Sequence, residues 1–199
     1  MILRRVAVPY RRVDVAQPRG EPRSKEFRDI NPIGKVPAVL FDDGDILSES
    51  GAILYFFGKG TDLWPDDRRT QSEVLRWMFF EQYSHEPALA MIRYMKHFSS
   101  EDGAEQRISE LQPKAHHALS VMEQRLETNE WLACESCTLA DYALYPYTRL
   151  MAESGISSAD YPSVNRWLEK IENTPGFLGI GQDGAEETIS FSEYVNIRQ

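Results

Sequence analysis

The sequence predicts a small mixed α/β unit followed by a larger all-helical one. Three observations carry this. Residues 8–57 alternate short β-branched or apolar runs with turn residues, whereas beyond residue 68 the apolar residues recur at gaps of three and four. Between them, Gly58–Asp67 (GKGTDLWPDD) mixes glycine, proline and charge without periodicity, as linkers do. A chain of 199 residues with 42% hydrophobic content can bury one core or two small ones. The change of texture favours two: residues 1–59, a linker over 60–67, and a helical unit over 68–199.

Within the first unit, Tyr10–Val15 (YRRVDV) reads as a strand with β-branched residues at Val13 and Val15, and Ser24–Ile30 as a short helix. Asn31-Pro-Ile-Gly-Lys-Val-Pro37 follows, where two prolines and a glycine forbid regular structure. Ala38–Phe41 and Ile46–Leu47 flank Asp42-Asp-Gly-Asp45, and Asp-Gly tolerates the positive φ of a tight turn, so a strand pair is expected there. Ser50–Phe57 is apolar enough for a buried helix, with Ser48 or Ser50 as its cap.

In the second unit, Val74–Phe98 is rich in apolar and aromatic residues. Ile108, Leu111, Ala115, Leu119, Met122 and Leu126 mark an amphipathic helix that Pro113 should start or kink. Thr138-Leu-Ala-Asp141 reads as a capping box opening a helix over Thr138–Met151, and Pro162–Asn173 gives another. The stretch after Phe177 is too polar and Gly-rich to predict an element, and there is no internal repeat or low-complexity tract.

Charge and cysteine usage narrow the function. A net charge of −9 argues against nucleic acid as a partner. Residues 1–35 nevertheless hold nine Lys and Arg against four Asp and Glu, a basic segment that suits a small anionic ligand or simply a solvated face. No run approaches the roughly 18 apolar residues of a membrane span, and the arginines in Met1–Val8 break any signal-peptide core, so a cytoplasmic protein without membrane partners is expected. Cys134 and Cys137 have a redox-like spacing, but a reactive dithiol needs a strand in front and a helix N-terminus beneath its first sulfur. The capping box instead leaves Cys137 just outside the helix and Cys134 in the loop before it. They read as loop cysteines, and one such pair lacks the companions for a metal site. His97, His116 and His117 form no ligand spacing either.

Asn31-Pro-x-Gly-Lys-Val-Pro37, followed after the hairpin by Glu49-Ser50-x-Ala-Ile53, resembles the glutathione-binding half of a cytosolic glutathione S-transferase of bacterial type. Thr138-Leu-Ala-Asp141, Tyr161-Pro-x-Val-x-x-Trp167 and Pro175-Gly-Phe177 resemble that family's helical half, in the family's order. The resemblance runs from about Val8 to Phe177 and implies an α+β thioredoxin-like N-terminal domain with an all-α C-terminal domain. It implies glutathione as co-substrate, no metal, a small electrophile as second substrate and a homodimer, with Trp77–Phe80 near its interface.

By the same resemblance Pro37 is expected to be cis, with Val36 offering its N–H and C=O to the cysteinyl backbone of glutathione. Glu49 and Ser50 would hold the γ-glutamyl group at a helix start, and Lys35 the glycyl carboxylate. Glu81, Tyr83, His85 and Tyr94 are the candidates for an electrophile pocket between the domains.

In the family, a strand and helix precede the segment resembling Val8-Pro-Tyr10, and they bring the Ser, Tyr or Cys that activates the thiol. Here Met1–Val6 corresponds to the end of that helix, so the chain is expected to be truncated at its N-terminus relative to the family, to lack the first strand, and to leave backbone unpaired unless another segment fills in. Two functions follow: conjugation of the glutathione thiol to small electrophiles by an enzyme whose activating residue is unknown, or a catalytically inactive transferase-like interaction module.

Overall fold

The computed structural model describes residues 1–16, 20–99 and 102–198. Helix α1 (Ile2–Arg5) leads into strand β1 (Arg11–Asp14). Ser24 then caps α2 (Lys25–Arg28), its hydroxyl accepting from Phe27 N at 3.2 Å. Strands β2 (Ala38–Leu40) and β3 (Ile46–Ser48) form the expected antiparallel hairpin, with Ala38 opposite Ser48 and Leu40 opposite Ile46. Its turn is closed by Phe41 and Asp45, with Gly44 at φ 95°, a conformation that glycine adopts without cost. Helix α3 (Ser50–Gly58) completes the first half.

The second half is a bundle of α4 (Arg68–Phe80), α5 (Glu86–His97), α6 (Ala104–Thr128), α7 (Leu139–Arg149) and α8 (Pro162–Glu172). Its core is apolar and continuous, with Val74, Leu89, Ile92, Ala115, Leu119, Met122, Leu132, Leu144, Val164 and Ile171 all fully enclosed. Between α4 and α5 the chain makes one π-helical turn over Glu81–His85. Pro87, near the start of α5, has no N–H to give back to the preceding turn, the kind of local break that π-turns accommodate.

Asp141 anchors the bundle. Fully buried, its carboxylate accepts from Thr138 N at 2.8 Å, the Thr138 hydroxyl at 3.1 Å, Leu132 N at 3.1 Å and Trp167 Nε1 at 2.9 Å. It therefore ties the start of α7 to the preceding loop and to α8. No helix among the described residues is long and apolar enough to cross a membrane.

Three differences from the sequence reading stand out. Helix α6 does not start at Pro113: it begins at Ala104 and runs through the proline, because the apolar stripe of Leu111, Ala115, Leu119 and Met122 packs continuously on both sides of it. Neither Ser48 nor Ser50 caps α3, whose N-cap is Glu49. Within residues 60–67, Leu63 is fully buried and its carbonyl accepts from Leu139 N at 3.1 Å. Finally, the polar stretch after Phe177 is ordered: β4 (Glu187–Ser190) pairs in parallel with β1, Arg11 opposite Glu187 and Ser190 opposite Asp14, and α9 (Phe191–Arg198) follows at once. The strands thus form two two-stranded ladders, β1–β4 and β2–β3, and the C-terminal segment supplies pairing to β1.

Candidate functional site

The loop between α2 and β2 is held by one buried side chain. Asn31 Nδ2 donates to the Lys35 carbonyl at 2.7 Å, and Asn31 Oδ1 accepts from Ile33 N at 3.3 Å. Gly34 sits at φ 69° with its α-carbon so close to the Pro22 carbonyl that a Cβ would come within 2.9 Å of it, so a side chain is excluded there on two counts. Thus fixed, the loop delivers Lys35 and Val36 to the surface ahead of a cis Val36–Pro37 peptide bond, the isomer expected. Among the described residues the main chain of Val36 makes no hydrogen bond, although it immediately precedes a paired strand.

The hairpin register carries the next step. Because Ala38 faces Ser48, the residues just outside the ladder, Pro37 on one side and Glu49 on the other, lie at the same end. Glu49 has φ 71°, unusual for a residue with a side chain and a mark of stored strain at functional positions. Neither Glu49 nor any other side chain caps α3, so the amides at its start remain open beside the exposed Ser50 hydroxyl. An open helix start favours an anion, and a carboxylate next to it favours a cation. The register thus sets the exposed Val36 and the exposed Glu49 and Ser50 at one end of the hairpin, with exposed Lys35 one residue before Val36.

The four residues expected to line a second pocket divide. Glu81 and His85 are buried within the π-turn, Tyr83 between them is 87% exposed, and Tyr94 on α5 is 38% exposed, with its ring 6.3 Å from that of Phe98. The reason is helical geometry: residues four apart share a face and the residue between them points away. Burial pushes the Glu81 carboxyl up to about 7, moderated by Gln82 Nε2, which donates to it at 2.6 Å, and reinforced by Glu86. His85 Nε2 lies 2.9 Å from Thr148 Oγ1, and that hydroxyl gives its own proton to the Leu144 carbonyl at 2.7 Å. His85 is thus the donor, and burial lowers its pKa to about 3, keeping the ring neutral. It bolts the π-turn to α7.

Trp77 is buried with its ring edge-on to Phe80 at 5.3 Å, so of the stretch expected at a dimer interface Phe79 is the residue that faces outward. Both cysteines are free, and burial, with Asp141 adding to it, pushes the Cys137 thiol up, away from the thiolate character a redox centre needs. The sequence reading missed the positioning role of Asn31; its signal is an Asx residue opening a tight turn with glycine three residues on.

Both halves of the chain match known proteins. Residues 1–59 match the description "Glutathione S-transferase, N-terminal domain" and residues 83–175 "Glutathione S-transferase, C-terminal domain". The crystal structure of a glutathione S-transferase from Pseudomonas fluorescens Pf-5 superposes with a TM-score of 0.87 at 32% identity, covering 91% of this chain and 90% of that one. A glutathione transferase from Burkholderia graminis, solved with two glutathione molecules bound per subunit, has a TM-score of 0.76 at 28% identity over 88% of this chain and 78% of its own. The disulfide-bond oxidoreductase YfcG of Escherichia coli K12 is 29% identical over 182 residues, 88% of this chain and 84% of its own. With its two halves matched in order and a bacterial relative aligned along nine-tenths of both chains, the chain belongs to the glutathione S-transferase family.

Proposed function

We propose that this chain binds glutathione along Lys35–Ser50 and, in the cytoplasm, conjugates its thiol to small electrophiles. The observation that carries the reading is the meeting of two open backbone features at one end of the β2–β3 hairpin: the unpaired main chain of Val36 and the uncapped start of α3. Val36 pairs with the cysteinyl residue in strand fashion. Ser50 and the free amides of α3 take the γ-glutamyl carboxylate, Glu49 takes the neighbouring ammonium, and Lys35 meets the glycyl carboxylate. Two carboxylates and one ammonium on the ligand match two electropositive features and one carboxylate on the protein. The glutathione complex of the Burkholderia graminis relative supports the same ligand.

In conjugation the thiol proton passes to solvent, the thiolate attacks an electrophilic carbon, and a C–S bond forms as the leaving group departs with its bonding pair. The rate follows the thiolate fraction. The electrophile enters between the two halves beside the π-turn, where Glu81 is the titratable group and Tyr94 an outer wall. The working unit is a homodimer in which Phe79 is covered.

Similarity to YfcG, a disulfide-bond oxidoreductase, favours a second reading, glutathione-dependent reduction of a disulfide. One experiment separates them: calorimetric titration with glutathione, then assays with glutathione plus 1-chloro-2,4-dinitrobenzene and glutathione plus hydroxyethyl disulfide. Thioether formation above the uncatalysed rate supports conjugation, and disulfide reduction alone supports the second reading. Binding without either activity assigns the chain to the non-catalytic module. Absence of binding overturns the reading.

A further inference from the structure

We propose that the C-terminal segment β4–α9 is a strap that positions the loop before Pro37, with Phe191 as its positioning residue. The inference rests on the reading of Lys35–Ser50 as the glutathione site. It begins with a contact across most of the sequence. Phe191, the first residue of α9, is buried and packs edge-on against the buried Phe27 of α2, ring centroids 5.7 Å apart at 73°.

Phe27 is the residue from which the loop is hung. Its carbonyl accepts from Asn31 N at 2.8 Å and from Ile30 N at 3.0 Å, and its amide is held by the Ser24 cap. Asn31 in turn holds the Lys35 carbonyl, one residue before Val36. The line from Phe191 to Phe27, Asn31 and Lys35 is thus continuous in physical contact. Helix α2 has only four residues, too few to be stable without packing, so what covers Phe27 decides where the loop begins.

Phe191 is itself held by the β1–β4 ladder. Glu186 N donates to the Tyr10 carbonyl at 2.9 Å, Arg11 stands opposite Glu187, and Arg12 lies 3.8 Å from Asp183. The basic N-terminal strand and the acidic tail are therefore complementary in charge as well as in backbone pairing. The strap's strand begins at Glu187, 150 positions after Pro37.

The test uses the full-length chain with Phe191→Ala, Phe191→Leu, and Val164→Ala as a control that loosens the distant helical core. Two quantities are read: glutathione affinity by calorimetry and hydrogen–deuterium exchange of residues 27–37. Phe191→Ala is expected to weaken glutathione by about tenfold and to speed exchange in 27–37, Phe191→Leu to recover most of both, and Val164→Ala to lower the melting temperature while moving neither. Unchanged exchange in 27–37 with Phe191→Ala overturns the proposal, as does an equal effect from Val164→Ala. If the wild-type chain binds no glutathione, it is the site reading that fails, and the exchange arm still decides the strap. Should Phe191→Ala not fold, the comparison of Phe191→Leu with wild type decides it by the same exchange measurement.

Discussion

Ala38 lies directly opposite Ser48 in the β2–β3 ladder, and this register sets the cis Val36–Pro37 bond beside the strained Glu49. A slip of one residue would carry Glu49 and Ser50 away from Val36 and turn every strand side chain over. The nearness of Val36 to Glu49 and Ser50 is therefore a property of the hairpin pairing.

Ser50→Ala tests the patch. If the hydroxyl contributes one hydrogen bond to a carboxylate, affinity for glutathione should fall by about 1 to 3 kcal/mol in calorimetry, with the melting temperature nearly unchanged because the hydroxyl caps nothing. Equal affinity would reduce the motif to the open backbone alone.

Gly58→Ala tests the contact between halves. Gly58 ends α3, and a Cβ there would overlap Leu139 Cδ2 at the buried start of α7. Alanine is the better helix former by up to ~1 kcal/mol, but overpacking costs about 1 to 3 kcal/mol. Net destabilisation in urea unfolding is expected, and a stabilised variant would mean that Leu139 has room to move.

Asp141→Ala should be severe. It strands the buried donors Leu132 N, Thr138 N and Trp167 Nε1, each costing about 1 to 3 kcal/mol when left unpaired. A loss of at least about 3 kcal/mol is expected, a large part of the ~5 to 15 kcal/mol that holds a domain together. A shift of under about 1 kcal/mol in chemical denaturation would remove Asp141 from its place as anchor.

Glu81 and His85 give stability opposite pH slopes. Glu81 holds its proton in the fold up to about 7 against an ordinary 4.5, so the native state binds more protons than the unfolded one and stability falls as pH rises from 4.5 to 7. His85 stays neutral down to about 3 against an ordinary 6.5, so its contribution is lost as pH falls below 6.5. Between 4.5 and 6.5 the two oppose each other. Glu81→Gln removes one of them, so its melting temperature should fall more steeply than that of the wild type from pH 7 to pH 5. Parallel profiles would show that Glu81 titrates normally.

Assembly is checked by light scattering. A homodimer at micromolar concentration is expected, weakened by Phe79→Glu, which puts a charge on the outward-facing ring of α4. A monomeric wild type would remove dimerisation from the reading.

How much of this the sequence carried depends on the range of the interaction. The hairpin turn at Asp42–Asp45, the irregular loop 31–37 and the helix start at Thr138 are encoded in neighbouring residues whose backbone chemistry is decisive. Pro113 marks no helix start because its local cost is outweighed by an apolar stripe that spans both sides of it. The π-turn was hidden because Glu81–His85 has ordinary helical composition and its division into buried and exposed residues depends on Thr148 in α7. Strand β4 was invisible for the plainest reason: three polar residues and a single isoleucine become a strand only when β1, over 170 positions earlier, lies alongside.

The hydrogen bond from Leu139 N to the Leu63 carbonyl changes how the two halves should be pictured at work. A connecting segment whose apolar side chain is fully enclosed does not swing, so the two halves do not hinge about residues 60–67. Motion at this joint is then that of individual exposed side chains, over picoseconds to nanoseconds, and not the slower opening of one body from another.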